Sequence, residues 1–231
     1  MPAGDSGVSR QDVVRHAEAY PFDLPEGSYL FGAVPGHRTD LEDRVPVLAL
    51  GSNAAPSQLA RKFPRLDAPI PVARAVLQDH AVVYSAHFSK YGSLPASLTR
   101  LEGALAYVFV TWLTPTQLLR MHETEGVGDR YDYRETELPI TVEEVGALPR
   151  VGVYLGRAGP LQVAGRPVRI AEVPTIRCPL PALTQPAALR LAHRRLASHL
   201  PFEEFITRLA GDEIYRREMS ARLRELDTAP A

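Results

Sequence analysis

The sequence predicts an α+β protein in which a largely antiparallel sheet is flanked by helices and the C-terminus is helical. Three observations carry this. Strand-like segments between Tyr131 and Val173 are separated by turns too short for crossover helices, which makes neighbouring strands antiparallel. Two apolar strands run into helix-start signals, at Gly51-Ser52-Asn53 and at Thr114-Pro115. Beyond Pro181 the pattern becomes helical three times, with turn residues in between.

In chain order, residues 1–44 read as a lead-in that packs on the domain: a short helix around Gln11 to Ala19, then a Pro- and aromatic-rich turn segment from Tyr20 to Gly27. Residues 45–180 read as the core. Val45 to Leu50 is an apolar strand, with Pro46 tolerable only near its start. Gly51 allows a sharp turn, Ser52 and Asn53 are both good N-caps, and Pro56 suits the first turn of a helix over Ser57 to Phe63. The unpaired N–H groups of that helix start would face an anion such as a carboxylate. An ordinary capped turn is the alternative.

After a Pro-rich loop, Ala73 to Ser89 reads as a strand, then Lys90 to Pro95 as a loop. Gly103 to Leu113, β-branched and aromatic on both faces, reads as a central strand. The helix that follows has Thr114 as N-cap, Pro115 at its first position, Gln117 completing a capping box, Leu113 placed to staple against Leu118, and Gly126 as its stop. Leu161 to Val163 and Val168 to Val173 are predicted to form a hairpin around Ala164-Gly165-Arg166. Residues 181–231 form the helical extension, ending in Thr228-Ala229-Pro230-Ala231.

Composition restricts function. A 45% hydrophobic and 23% charged chain with net charge −1 has no global attraction for nucleic acid or an anionic membrane. The one cysteine, Cys178, excludes an intrachain disulfide framework and a cysteine-rich zinc site. Met1 to Gly7 lacks the pattern of a secretion signal, and no apolar run is long enough to span a membrane. The expected location is cytoplasmic.

The helix from Pro115 to Glu125 carries the first chemical signal. At about 100° per residue, Leu118, Leu119 and Met121 set an apolar direction, and Glu125 returns to within about 25° of it. Glu125 therefore points inward, while Glu123 faces solvent. Burial would raise the pKa of such a carboxyl toward the range useful for a general acid or base. The alternative is a terminal Glu that is partly exposed or paired with Arg130 or Arg134. His122, on the same inner face, reads as a hydrogen-bonded core histidine.

A strand ending in Gly51-Ser52-Asn53, followed later by a helix ending Glu125-Gly126 and by Tyr131 six residues after the Glu, resembles the gamma-glutamylcyclotransferase family. The similarity covers about Val45 to Val173. It implies a mixed, mostly antiparallel β-barrel-like sheet with flanking helices, with Glu125 as the general acid/base in a reaction that needs no metal or cofactor. In that chemistry Glu125 takes a proton from the substrate's α-ammonium, the amine attacks its own γ-carbonyl, and the same carboxyl protonates the leaving amine as 5-oxoproline forms. Leu50, Gly51, Ser52 and Asn53 would cradle substrate oxygens, and Tyr131 would line the pocket. One position departs from the family: Leu50 stands where it typically has Tyr, which removes a phenol donor from the cradle.

Other constellations are weaker. Cys178 beside Pro179 reads as a buried small hydrophobe rather than a nucleophile served by His193 or His199, and the histidines lack metal-binding spacing. Arg190, Arg194 and Arg195 read as a solvated face or a self-association surface for a homodimer, with no nucleic-acid partner expected. Two functions stay open: a gamma-glutamylcyclotransferase-like lyase, acyltransferase or amide hydrolase acting on a small γ-glutamyl or related amide, and a non-catalytic module that binds such a ligand.

Overall fold

The computed structural model describes residues 9–33 and 40–228; the Met1 to Gly7 expectation and the last residues of the C-terminal one lie outside these. In chain order the elements are α1 (Arg10–Glu18), β1 (Tyr29–Phe31), β2 (Val45–Ala49), a 3-10 turn (Ser52–Ala54), α2 (Pro56–Lys62), β3 (Ile70–Tyr84) and β4 (Ala96–Leu113). Then come α3 (Pro115–Glu125), β5 (Tyr131–Thr136), β6 (Ile140–Val142), β7 (Gly146–Ala147), β8 (Val151–Gly156), β9 (Gln162–Val163) and β10 (Arg166–Pro167). The chain continues through β11 (Arg169–Ile170), β12 (Thr175–Ile176), β13 (Ala182–Leu183), α4 (Gln185–Leu196), α5 (Phe202–Gly211) and α6 (Glu213–Thr228).

The main sheet runs β13-β11-β3-β4-β2-β8-β5, with β1 and β6 on β3 and β12 on β4. It is mixed and mostly antiparallel as expected: β2–β8 and β11–β13 are parallel pairs, and its other pairings are antiparallel. Its path is open, so the sheet does not close into a barrel. The long β3–β4 hairpin slips register between Gln78 and His80, where Asp79 has φ 55 and its carboxylate accepts from the Gly103 N–H at 2.8 Å. Such a bulge bends and twists the ribbon locally.

Both faces of the sheet are covered along β2 and the second half of β4, which is why these stretches read as apolar. Along β4, Val108, Val110 and Trp112 enter one core with α1 and α4 to α6, while Phe109 and Leu113 enter the other with Leu59 of α2 and Met121 of α3. β2 splits the same way, Leu48 to the first core and Val47 and Ala49 to the second. That alternation is the period-two rule with apolar residues on both sides.

Lead-in and tail share the first core with the sheet: Val14, Ala17 and Tyr20 lie in one cluster with Leu189, Phe205 and Val110. Arg190, singled out above, reaches Glu18 at 3.2 Å and stacks over Phe202 at 4.4 Å, tying α4 to α1 and α5. Phe205 is fully buried and meets Phe88 edge-on at 5.8 Å. Phe205→Ala is expected to cost about 3 kcal/mol, seen in urea unfolding as an earlier midpoint of one cooperative transition.

Two local expectations change. The hairpin at Ala164-Gly165 is real but short, pairing β9 with β10, whereas Arg169 in β11 leaves it to pair with Val83 and Ala182 of the main sheet. Cys178 is half-buried rather than buried, and His193 is committed to the Leu200 carbonyl at 2.8 Å. Among the described residues no helix is long and apolar enough to cross a membrane.

Candidate active site

The two cores meet where β2 ends, and a cleft of about 250 Å³ opens there. That volume suits a metabolite-sized ligand. Leu50, Gly51, Ser52, Asn53, Glu125 and Tyr131, separated by up to 81 positions in sequence, all line it.

α3 delivers Glu125 through strong local signals. The Thr114–Gln117 capping box is formed, Pro115 opens the helix, and Gly126 closes it in the left-handed region at φ 69. Gln117 and Met121 are buried on its inner face, and Leu119 is 65% exposed, so that face is narrower than the apolar pattern suggests. Glu123 sits in solvent with Arg120 at 2.8 Å. His122 meets the Tyr154 hydroxyl through Nδ1 at 2.9 Å, the hydrogen-bonded role expected of it.

The turn differs from its expected form. Ser52 and Asn53 do not cap α2; they form a 3-10 turn, and Ala55 occupies the N-cap without a side-chain bond. The N–H groups of Ala54 and Ala55 close onto the Gly51 and Ser52 carbonyls at 3.1 Å, while Tyr29 pins the turn by donating to the Ala54 carbonyl at 2.7 Å. The start of α2 is buried at Ala54-Ala55 and exposed at Pro56-Ser57, and none of these lines the cleft. The start of α2 therefore does not open onto the cleft, whereas Gly51, Ser52 and Asn53 line it.

The partner of Glu125 is neither Arg130 nor Arg134 but Lys62, at the C-terminal end of α2. The Lys62 ammonium is buried, donates to Glu125 Oε1, and also donates to Asn53 Oδ1 at 2.7 Å. Asn53 Nδ2 donates to the same Glu125 Oε1 at 3.2 Å. Both bonds to Glu125 converge on Oε1, and Glu125 lines the cleft. Burial by itself pushes the carboxyl up, but the Lys62 charge and hydrogen bond, the Asn53 amide and Arg130 outweigh it, so Glu125 is held below the ordinary carboxylate range. This reverses the direction expected from burial alone.

Sequence reasoning also missed Tyr20. Its ring lies against Gly51, where a Cβ would stand 2.4 Å from the phenol oxygen, so this close approach requires glycine. The Tyr20 hydroxyl accepts from the Ala96 N–H at 2.7 Å, and its own proton has no acceptor among the described hydrogen bonds. Burial pushes its pKa up, and the Glu125 charge adds to this. Tyr131 behaves alike, raised by burial and then by Glu125. His87, on the same wall and edge-on to Tyr131 at 5.7 Å, is pushed down to about 4 by burial, then by Arg130 and Arg224, and is neutral at pH 7. Among the described residues no group of His, Cys, Asp and Glu is arranged to hold a metal ion.

No family model and no curated protein matches the chain. Among solved structures it is similar to a gamma-glutamyl cyclotransferase, at 20% identity over 49% of this chain and 66% of that one, with a TM-score of 0.39. It is also similar to an uncharacterised protein from Homo sapiens (21% identity, 50% and 68% coverage, TM-score 0.40). A third similar structure is YkqA from Bacillus subtilis (17% identity, 74% and 55% coverage, TM-score 0.41).

Proposed function

We propose that this protein is a cofactor-free enzyme of the gamma-glutamylcyclotransferase type, releasing an amine and 5-oxoproline from a small γ-glutamyl amide. The observation that carries this reading is the carboxylate of Glu125, anchored through Oε1 by Lys62 and Asn53 in the lining of the cleft.

The substrate's α-ammonium would pair with Oε2. Lys62 and Arg130, which lower the pKa of Glu125, would lower that of the ammonium as well and so offset the weaker basicity of the carboxylate. The freed amine attacks the γ-carbonyl, forming the ring C–N bond. Collapse of the tetrahedral intermediate breaks the original amide C–N bond as Glu125 returns its proton to the departing nitrogen. A carboxyl held at low pKa is a strong acid when protonated, which suits this second half. Holding amine and carbonyl in one cleft supplies the proximity that such a cyclisation needs.

Tyr20 answers the loss of the phenol at Leu50. Its hydroxyl, oriented by the Ala96 N–H, would donate to the carbonyl oxygen as negative charge builds there. Tyr20→Phe is expected to lower kcat by about a hundredfold in steady-state kinetics while leaving the folded state intact.

The same Lys62 pair favours a second reading, a binding module in which the carboxylate only recognises an ammonium. A panel of γ-glutamyl peptides, γ-glutamylamines and other small amides, with products identified by mass spectrometry, separates the two. 5-Oxoproline supports the enzyme; tight binding without turnover of any member supports the module.

A further inference from the structure

The cleft carries more positive charge than Glu125 and the α-carboxylate of a γ-glutamyl head would together balance. Arg61, Lys62, Lys90, Arg120 and Arg130 line it against the lone carboxylate Glu125, in a chain whose overall net charge is −1. Lys62 is taken up by Glu125 and Arg120 by Glu123. The described ion pairs give Arg61, Lys90 and Arg130 no carboxylate.

These three are held in place rather than scattered. Arg61 is fixed by two bonds to Gln58 Oε1, at 3.1 and 2.6 Å, and its guanidinium lies 4.3 Å over the Tyr91 ring. Lys90 lies over the same ring at 5.2 Å, and His16 of α1 meets it edge-on at 5.0 Å. The loop carrying Lys90 and Tyr91 is closed by a 2.7 Å bond between the Ser89 and Ser93 hydroxyls. It is seated on α5, where a Cβ at Gly92 would stand 3.2 Å from the Ile206 carbonyl. The Arg130 guanidinium rests on Gly126, next to Glu125, in the lining of the same cleft. Lead-in, tail and core thus combine to hold two cations on one aromatic platform and a third in the same cleft.

Like charges gathered in one cleft repel each other. Lys90 shows it: burial lowers its pKa first, and Arg61, Arg130 and Lys62 lower it further. An anionic ligand would relieve that repulsion and gain charge-assisted hydrogen bonds, with arginine offering a two-pronged donor.

We infer that the ligand carries, beyond its reacting amide, an anionic group of high charge, a phosphate or a pair of carboxylates, which docks on Arg61, Lys90 and Arg130. This rests on the γ-glutamyl reading only for the identity of the reacting end; the anion seat stands on the cations themselves. The leaving amine would then bear the charge, placing the anion at the mouth while the glutamyl head occupies the cleft floor.

Two measurements test this with Arg61→Gln/Lys90→Gln, a pair of exposed side chains. In kinetics, γ-glutamyl-phosphoserine or γ-glutamyl-glutamate is expected to exceed γ-glutamyl-butylamine in kcat/KM by about tenfold or more, an advantage lying in KM and lost in the double variant. Which acidic substrate leads identifies phosphate or carboxylate. In calorimetry, pyrophosphate or tricarballylate is expected to bind the wild type at low salt and to bind the double variant at least about tenfold more weakly. Anion binding without any 5-oxoproline would leave the seat standing and remove the cyclisation reading. Turnover of γ-glutamyl-butylamine with no charge preference and no anion binding would overturn the seat alone.

Discussion

Glu125→Gln is expected to lower turnover by about a thousandfold while the protein stays folded and still binds its ligand. General acid/base groups contribute on this scale, and in the proposed reaction one carboxyl serves both proton transfers, so its loss would strike bond formation and bond cleavage together. The amide keeps an acceptor for the Lys62 and Asn53 bonds to Oε1, so shape and packing are retained. It cannot take a proton from an ammonium. Glu125→Asp restores the charge but withdraws it by one methylene, and some activity should return. Rates from product formation, alongside ligand titration of the inactive variant, check this. Equal rates in wild type and Glu125→Gln would remove Glu125 from the chemistry.

The second large effect is expected from Lys62→Met, which fills similar space without the charge. In the wild type the carboxyl of Glu125 is depressed, so its contribution to stability is present above the ordinary carboxylate pKa and is lost as pH falls through the depressed value. Without Lys62 the burial contribution, the largest influence on Glu125, is opposed only by Asn53 and Arg130, and its pKa is expected to rise. The sign then inverts: the variant is stable while Glu125 is protonated and weakens as pH rises above the unfolded value of about 4.3. At pH 7 the deficit should reach about 3 kcal/mol, the scale of a broken buried ion pair, and it should shrink toward pH 5. The acidic limb of kcat/KM should move to higher pH. Denaturant unfolding and rate profiles between pH 4 and 8 check both. A stability gap independent of pH would mean that Lys62 acts only by packing.

The sequence discloses what is local. The limits of α3 follow from Thr114, Pro115, Gln117 and Gly126, which act within one turn of the residues that they cap, and the inward direction of Glu125 follows from helical periodicity alone. Its partner does not. Lys62 lies 63 positions away on the buried side of a seven-residue helix, where a lysine gives no periodic signal, so attention goes to arginines that are near in sequence. Without that partner, burial alone sets the sign of the Glu125 shift, and sets it wrongly.

Tyr20 escapes for a related reason. Tyr20-Pro21-Phe22 reads as a turn segment, and only the tertiary fold sets the phenol on Gly51 and the Ala96 N–H. Ser52 and Asn53 are good caps by type, yet the chain continues through a 3-10 turn before α2, which leaves their side chains to the cleft and Asn53 to Glu125. β11 parts from the expected hairpin because alternation marks a strand without naming its partner: Arg169 pairs with Val83, some 86 positions earlier.

The most direct test is the product formed from a γ-glutamyl amide in water enriched in heavy oxygen. Attack by the substrate's own amine gives 5-oxoproline that carries no label, with the free amine in equal amount and none of either from Glu125→Gln. Labelled glutamate, or the absence of product from every γ-glutamyl compound offered, would contradict the account.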